Sequence, residues 1–319
     1  MTYVIKGYLV GQVMTRLVPS VFTLVFCVAL PLNVIAIVIL LFKIKVRKPA
    51  VVYMLNLAVA DVLFVLFLPF KIIYRFAGNN WRIGEAMCRI VTASFYCNMY
   101  CSILIMTSIS VDRFLAVVYP IQSLYWRTTT RAWVACIFIW FLSMSSTMPL
   151  LITQQTVVTE DLNITTCYDV LSWELLRGFY LYYFTTYISL FFFLPLIITT
   201  FCYISIIRKL SSSVIDSTFN RSQAVVLTVI VLCVFVLCFG PTNIIFLIHY
   251  LGYYKGTSGI LYFTYVTCAS FSSISCCLDP LIYYYGSSKC RMFLHNLLCC
   301  KTKNYSEDKI TVSTKSTGT

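Results

Sequence analysis

Seven long apolar segments, nearly free of charged residues, follow one another along the 319-residue chain. They lie at about 17–42, 50–75, 88–119, 132–152, 178–207, 223–250 and 259–285. Each is as long as the roughly 20 residues that a helix needs to cross about 30 Å of hydrocarbon. None shows the short alternating strands of a membrane barrel. The pattern therefore predicts an all-α membrane protein, a bundle of seven transmembrane helices.

Charge distribution orients this bundle. Hydrophobic residues make up 60% of the chain, charged residues only 11%, and the net charge is +13. The basic residues cluster in short loops on one side, at Lys43, Lys45, Arg47, Lys48, Arg127, Arg131, Arg208, Lys209, Arg221, Lys289 and Arg291. Such loops face the cytoplasm, which places the N-terminus outside. Basic residues that flank a membrane, rather than cover one soluble face, argue against a nucleic-acid partner.

The chain divides into four predicted parts. Residues 1–16 form a short extracellular tail without a cleavable signal, and 17–285 form the membrane domain. Residues 286–301 form an amphipathic cytoplasmic helix with the apolar run "MFLHNLL". It ends at Cys299 and Cys300, which are either palmitoyl anchors or unmodified thiols. Residues 302–319 are polar and rich in Ser and Thr, which predicts disorder.

Two of the fifteen cysteines stand out by position, since ten others lie inside apolar segments and behave as small packing residues. Cys88 precedes the third predicted helix and Cys167 lies in the outer loop between the fourth and fifth. Both fall on the oxidising side, so we expect a disulfide between them. Asn163 in the same loop begins the glycosylation sequon Asn-Ile-Thr.

Several polar residues interrupt the apolar segments. They are Asp61, Asn98, Ser102, Ser275 and Asp279. Charged side chains at membrane depth are costly, so they should face the bundle interior. Two neighbouring carboxylates need a bound cation such as sodium, or one must hold a proton. The alternative is a cluster of water molecules without an ion.

Prolines occur in five of the predicted helices, at Pro69, Pro149, Pro195, Pro241 and Pro280. Each removes a backbone donor and favours a kink. A single membrane proline is commonly tolerated, but five of them suggest hinges between two arrangements of the bundle.

Three motifs resemble signatures of rhodopsin-like G-protein-coupled receptors. "SVDRFLAVVYP" at 110–120 resembles their Asp-Arg-Tyr motif, "CFGP" at 238–241 their Cys-Trp-x-Pro, and "DPLIY" at 279–283 their Asn-Pro-x-x-Tyr. Asn33 and Trp140 fill two further landmark positions. Phe114, Phe239 and Asp279 depart from the common residues, as they do in the branch with nucleotide, lipid and protease-activated receptors.

Longer stretches resemble the protease-activated receptors in particular. They include "RKPAVVYMLNLAVADVLFV", "FYCNMYCSIL", "LNITTCYDVL" and "FGPTNIIFLIHY". The resemblance implies a plasma-membrane receptor whose outer segment is cut by a serine protease, thrombin by analogy, to expose a tethered peptide agonist. Residues 1–16 contain no Arg-Ser cleavage pair or agonist peptide. Either the start is incomplete or an alternative form, or the agonist comes from another molecule.

The resemblance also assigns residue roles. An activation switch would comprise Asp112, Arg113, Tyr203, Phe239, Pro241, Asp279, Pro280 and Tyr283, with Arg113 paired to Asp112 at rest. Transmission residues would be Ile103, Pro195 and Phe235. The agonist pocket would comprise Tyr96, Asp169, Leu171, Phe184, His249, Tyr250, Tyr262 and Tyr265. Within it, Asp169 would be the counter-charge for a peptide cation.

The implied partners are heterotrimeric G proteins, an arrestin that recognises the phosphorylated tail, a peptide agonist and membrane lipids. An enzyme is not expected, because the two histidines lie at opposite membrane faces and no phosphate-binding glycine loop is present. Other readings are a receptor for a soluble peptide or lipid, an ion-coupled transporter, and a non-signalling scaffold. The transporter reading lacks inverted repeats.

Overall fold

A computed structural model describes residues 11–44, 46–159, 162–169, 180–212, 226–227, 229–252, 258–286 and 292. In this part of the chain, seven helices are long and apolar enough to cross a membrane. They are α1 Val13–Ile44, α2 Pro49–Phe76, α3 Glu85–Val118, α4 Thr129–Ile152, α5 Leu181–Ser211, α6 Val229–His249 and α7 Ile260–Tyr285. The seven-helix fold predicted from the apolar pattern is confirmed.

Local sequence signals set the cytoplasmic starts of α2 and α4. Lys48 is extended, and Pro49 occupies the first position of α2, where its missing N–H costs no helical hydrogen bond. Thr128 precedes α4, and its hydroxyl accepts the backbone N–H of Arg131 at 3.3 Å. This hydroxyl caps one of the free donors at the helix start.

Irregular turns accompany three of the predicted hinge prolines. A wide π turn at Ser189–Phe193 immediately precedes the turn of α5 that holds Pro195, and another at Val234–Phe239 precedes Pro241 in α6. In α7 the regular helix is broken between Ser272 and Ser275. Such turns are frequent at functional sites and at kinks.

Pro280 illustrates how one such break is stabilised. Because proline has no N–H, the Cys276 carbonyl one turn earlier lacks its helical donor. The Asn33 side chain of α1 supplies that donor, with Nδ2 at 2.9 Å from the Cys276 oxygen. Asn33 of α1 therefore supplies the hydrogen bond that the Cys276 carbonyl of α7 lacks.

Two smaller elements were not predicted by the apolar pattern. A short cytoplasmic helix, Pro120–Trp126, connects α3 to α4. On the outer side, β1 Thr156–Thr159 pairs antiparallel with β2 Ile164–Cys167, with Thr156 opposite Cys167. The Glu85 carboxylate at the start of α3 accepts the backbone N–H groups of Gln155 and Thr156, each at 2.8 Å. This hairpin therefore rests on the outer end of α3.

Helix α3 lies at the centre, packed against α2, α4 and α5. Large apolar side chains such as Phe42, Phe138 and Leu237 are exposed on the outside of the bundle, as a lipid-facing surface requires. The predicted segments 286–301 and 302–319 lie outside the described residues, apart from Gly286 and Met292. They include Cys299 and Cys300. Residues 1–10 of the predicted tail also lie outside them, and the first helix begins at Val13 rather than at residue 17.

Candidate functional site

The outer loop is covalently tied to α3. Cys88 and Cys167 form a disulfide, with their Cα atoms 5.7 Å apart, which confirms the sequence prediction. Asn163 is exposed in the connection between β1 and β2, with φ of 49°. Its glycosylation stays a prediction.

Aromatic residues predicted for the agonist pocket form one cluster under this loop. The Tyr96 hydroxyl lies 2.6 Å from the Tyr265 hydroxyl and donates to Tyr168 at 3.2 Å. Phe184 of α5 packs against the Tyr96 ring, with centroids 5.7 Å apart. Phe246, which sequence reasoning missed, stacks on Tyr265 at 4.5 Å. The cluster therefore joins α3, α5, α6 and α7.

Two more predicted residues extend this cluster. The His249 and Tyr262 rings lie 5.7 Å apart, and the Tyr262 hydroxyl donates to Asp169 at 2.6 Å. Leu171 and the side chain of Tyr250 lie outside the described residues.

Asp169 is buried and already paired within the protein. Arg75 holds it through two nitrogens, with Nη2 at 2.8 Å from Oδ1 and Nη1 at 3.0 Å from Oδ2. The Tyr74 hydroxyl donates to Oδ2 as well. Burial alone would raise the pKa of the Asp169 carboxyl, but Arg75 and hydrogen bonds from Arg75, Tyr262 and Tyr74 outweigh it and lower that pKa. Asp169 can meet a ligand cation only if Arg75 moves away.

Sequence reasoning missed Arg75, Tyr74 and Lys71. All three belong to "KIIYRF" at the outer end of α2. Two cations there were the available signal, since a buried cation needs an anionic or aromatic partner. The partner of Arg75 lies 94 residues later in the chain.

The polar residues at membrane depth also come together. Asp61 and Asp279 are fully buried, and their carboxyl groups interact with each other. Ser102 and Ser275 are buried too, and Asn98 donates to the Cys276 sulfur at 3.6 Å.

Asn98 and Cys276 approach the Asp61 carboxyl group, but no donor among the described residues reaches hydrogen-bond geometry with either carboxylate, with Asn98 Oδ1 or with Ser102 Oγ. Carboxylate, amide and hydroxyl oxygens are the ligands that hard cations prefer. This donor set therefore fits the sodium ion suggested by the sequence.

Residues predicted for transmission lie in the core between the two sites. Ile103, Pro195 and Phe235 are all buried, and so is the neighbouring switch residue Phe239. The Phe235 and Phe239 rings meet edge to face at 6.2 Å, and Phe235 also stacks near Phe192 of α5. Pro241, by contrast, is exposed.

At the cytoplasmic end, the structure corrects the expected partner of Asp112. Arg127 holds the Asp112 carboxylate through Nε at 2.7 Å and Nη2 at 2.8 Å. Arg113 was the expected partner, but adjacent residues of a helix do not face the same neighbour. The ion pair instead ties the short cytoplasmic helix to α3.

Both predicted switch tyrosines are buried near this end. The Tyr203 hydroxyl lies 2.6 Å from the Ser110 hydroxyl, and the Tyr283 hydroxyl donates to Asn33 Oδ1 at 3.3 Å. Asn33 therefore bonds both the backbone of α7 and its motif tyrosine.

Comparison with known proteins identifies the family. Residues 32–283 match the family model described as 7 transmembrane receptor (rhodopsin family). The chain is 60% identical over 296 residues to proteinase-activated receptor 1 of Xenopus laevis, and 56% identical over 297 residues to that of Homo sapiens. Each match covers 93% of this chain and 70% of the relative. Proteinase-activated receptor 2 of Homo sapiens is 38% identical over 296 residues, 92% of this chain and 74% of the relative.

The family match includes residues of all seven helices. Seven membrane-crossing helices and this homology make the chain a multi-pass receptor of the plasma membrane. The chain belongs to the rhodopsin family of seven-transmembrane, G-protein-coupled receptors and is homologous to proteinase-activated receptor 1.

Proposed function

We propose that this receptor binds a protease-generated peptide agonist at its outer aromatic cluster and passes the signal to heterotrimeric G proteins. The names of its relatives support proteolysis as the origin of the agonist. The observation that carries the proposal is the convergence of Tyr96, Phe184, Tyr262 and Tyr265 from α3, α5 and α7. A ligand that inserts among these rings changes how three helices pack at once.

Helix α3 carries the change inward, because it runs unbroken from Glu85 to Val118. Ile103 and Phe239 pack in the core between its outer and inner ends. A close-packed core has discrete arrangements and does not deform smoothly. An agonist that prefers one arrangement of the rings therefore selects it at the cytoplasmic end too.

At that end, the resting contacts must be exchanged. Tyr203 would leave Ser110, Tyr283 would leave Asn33, and both hydroxyls would turn toward Arg113. The groove that opens accepts a helix of the G protein. The receptor then promotes nucleotide exchange by preferring the nucleotide-free G protein, so it needs no catalytic group of its own.

Sodium would be an allosteric ligand of the resting state. The Asp61 and Asp279 carboxylates, with Asn98 Oδ1 and Ser102 Oγ, would hold it. The ion neutralises two acids that otherwise repel each other at membrane depth. Repacking around Phe239 and Asp279 would release it.

Cytoplasmic modifications complete the proposal. Palmitoyl groups on Cys299 and Cys300 would anchor the segment 286–301 to the inner leaflet. Phosphorylation of serines and threonines in 302–319 would add the negative charge that an arrestin recognises.

The agonist site can be tested with a pair of tyrosine variants. Cells would receive a synthetic peptide with the tethered-ligand sequence of proteinase-activated receptor 1, and calcium would be the readout. Tyr96→Phe removes the bonds to Tyr265 and Tyr168, so the half-maximal concentration should rise about tenfold at equal surface expression. The matched control is Tyr182→Phe, because Tyr182 is 75% exposed on the same helix end as Phe184. Equal potency of both variants would contradict the site.

A further inference from the structure

A small cavity lies beside the Asp169 cluster, between the outer ends of α2, α3 and α7. Its volume is about 20 Å³. Its polar lining includes Lys71, Arg75, Thr92, Asp169 and Tyr262. A cavity of this size has room for roughly one water-sized group.

Two buried hydrogen-bond donors at this cavity lack an acceptor within the described part of the chain, and a lysine ammonium lies beside them. Arg75 uses Nη1 and Nη2 on Asn79 and Asp169, but its Nε has no partner. Thr92 is 1% exposed, and its hydroxyl also has none. For the Lys71 ammonium, the structure gives one contact, with the Phe95 ring at 5.7 Å from its centroid.

Asp169 does not supply the missing acceptor. Its Oδ1 already accepts from Arg75 and Tyr262, and its Oδ2 from Arg75 and Tyr74. The charges also indicate a missing anion, because Lys71 and Arg75 are two cations and Asp169 is only one anion. A surplus charge and unsatisfied buried donors both cost free energy unless a ligand compensates them.

We propose that this cavity is an anion subsite, which takes either a chloride ion or one oxygen of a carboxylate group of the peptide agonist. The anion would accept from Arg75 Nε and Thr92 Oγ and would neutralise Lys71. The subsite would sit beside the ligand-contacting rings Tyr96 and Tyr265, which line the same cavity. It would recognise negative charge, whereas the sequence suggested recognition of a cation by Asp169.

The chloride source can be tested without agonist or G protein, so the result does not depend on the proposed function. The purified receptor in lipid nanodiscs would be unfolded thermally at fixed sodium, with chloride replaced stepwise by a bulky sulfonate, which carries no carboxylate. We expect the unfolding temperature to rise with chloride concentration. Lys71→Gln and Thr92→Val should each weaken the chloride dependence about tenfold, since each removes a bond to a charged ligand. Arg82→Gln is the control, because Arg82 is an exposed cation on the same face and does not line the cavity.

A different result is expected if the anion is a carboxylate of the peptide agonist. Chloride would then have no effect, and a peptide agonist with a free carboxylate would be more potent than its neutral amide. Lys71→Gln would remove that preference, while Arg82→Gln would keep it. The proposal is overturned if chloride acts equally on wild type and Lys71→Gln. It is also overturned if chloride has no effect and both peptides are equally potent on wild type.

Discussion

Two groups of buried acids in this receptor differ in how many hydrogen-bond donors the protein supplies to them. On the outer side, Asp169 accepts four hydrogen bonds, two from Arg75 and one each from Tyr74 and Tyr262. At membrane depth, Asp61 and Asp279 are fully buried, yet no described donor reaches hydrogen-bond geometry with either carboxylate, although Asn98 and Cys276 lie near Asp61. Both arrangements keep negative charge away from water, but only the first is complete within the protein.

This difference in hydrogen bonding suggests that Asp169 is a structural contact, whereas the pair Asp61 and Asp279 responds to ions or protons. A carboxylate that is fully satisfied by fixed neighbours holds those neighbours in place. A pair of acids without donors needs an ion or a proton from outside, so its energy depends on conditions and on the shape of the bundle. We therefore expect changes at Asp169 to act on stability and changes at Asp61 or Asp279 to act on signalling.

The largest effect should come from Asp169→Asn. The substitution leaves the Arg75 guanidinium buried without its anion, which costs about 3–5 kcal/mol. We expect a large drop in the unfolding temperature of the purified receptor and reduced surface expression.

The double variant Asp169→Asn with Arg75→Gln tests the cause. It removes both charges, so it should recover much of the lost stability. If Asp169→Asn kept the wild-type unfolding temperature and only lowered agonist potency, the acid would be a ligand contact rather than a structural one.

An intermediate effect is expected at Asp112, a fourth buried acid, whose partner Arg127 directly follows the short helix Pro120–Trp126. Arg127 is partly exposed, so Arg127→Gln should cost only about 1 kcal/mol of stability. Losing the pair frees the helix Pro120–Trp126 from α3, which should raise agonist-independent nucleotide exchange on the G protein. Arg47→Gln is the control, since Arg47 is an exposed arginine on the same cytoplasmic side and is not the partner of Asp112. Equal basal exchange in both variants would rule out a restraining role for this pair.

A smaller change in stability is expected at the acid pair. Asp279→Asn removes one of two repelling carboxylates, so the free energy of unfolding should change by less than about 1 kcal/mol. Agonist affinity should at the same time lose its dependence on sodium, measured against choline at constant chloride. Asp61→Asn should behave alike. Sodium dependence that survived in both variants would exclude the ion site.

Features that depend on a local stretch of sequence could be predicted, whereas contacts between residues far apart in the chain could not. Seven helices and the acids at Asp61 and Asp279 are visible because a long apolar run, or a charge inside one, is a local signal. The Arg75–Asp169 pair joins residues 94 positions apart, so the cations of "KIIYRF" indicate that a partner is needed but not which residue it is.

Adjacency in the sequence also gave a wrong partner for one ion pair. Arg113 follows Asp112 directly, but about 100° of helix rotation separates their directions. The chain reversal at Pro120–Trp126 brings Arg127 to Asp112 instead. The four-residue strands β1 and β2 are likewise too short for an alternating pattern to predict them.

The smallest effect concerns the pH dependence of the Asp169 cluster. Because the folded state lowers the pKa of Asp169, its ion pair contributes full stability above the ordinary aspartate value of about 3.9 and loses it as pH falls through the lower, folded pKa. The difference in unfolding temperature between wild type and the double variant should therefore stay constant between about pH 8 and pH 5 and shrink only below about pH 4. A difference that already shrank between pH 8 and pH 5 would mean that Asp169 is not held as a charged, fully bonded carboxylate.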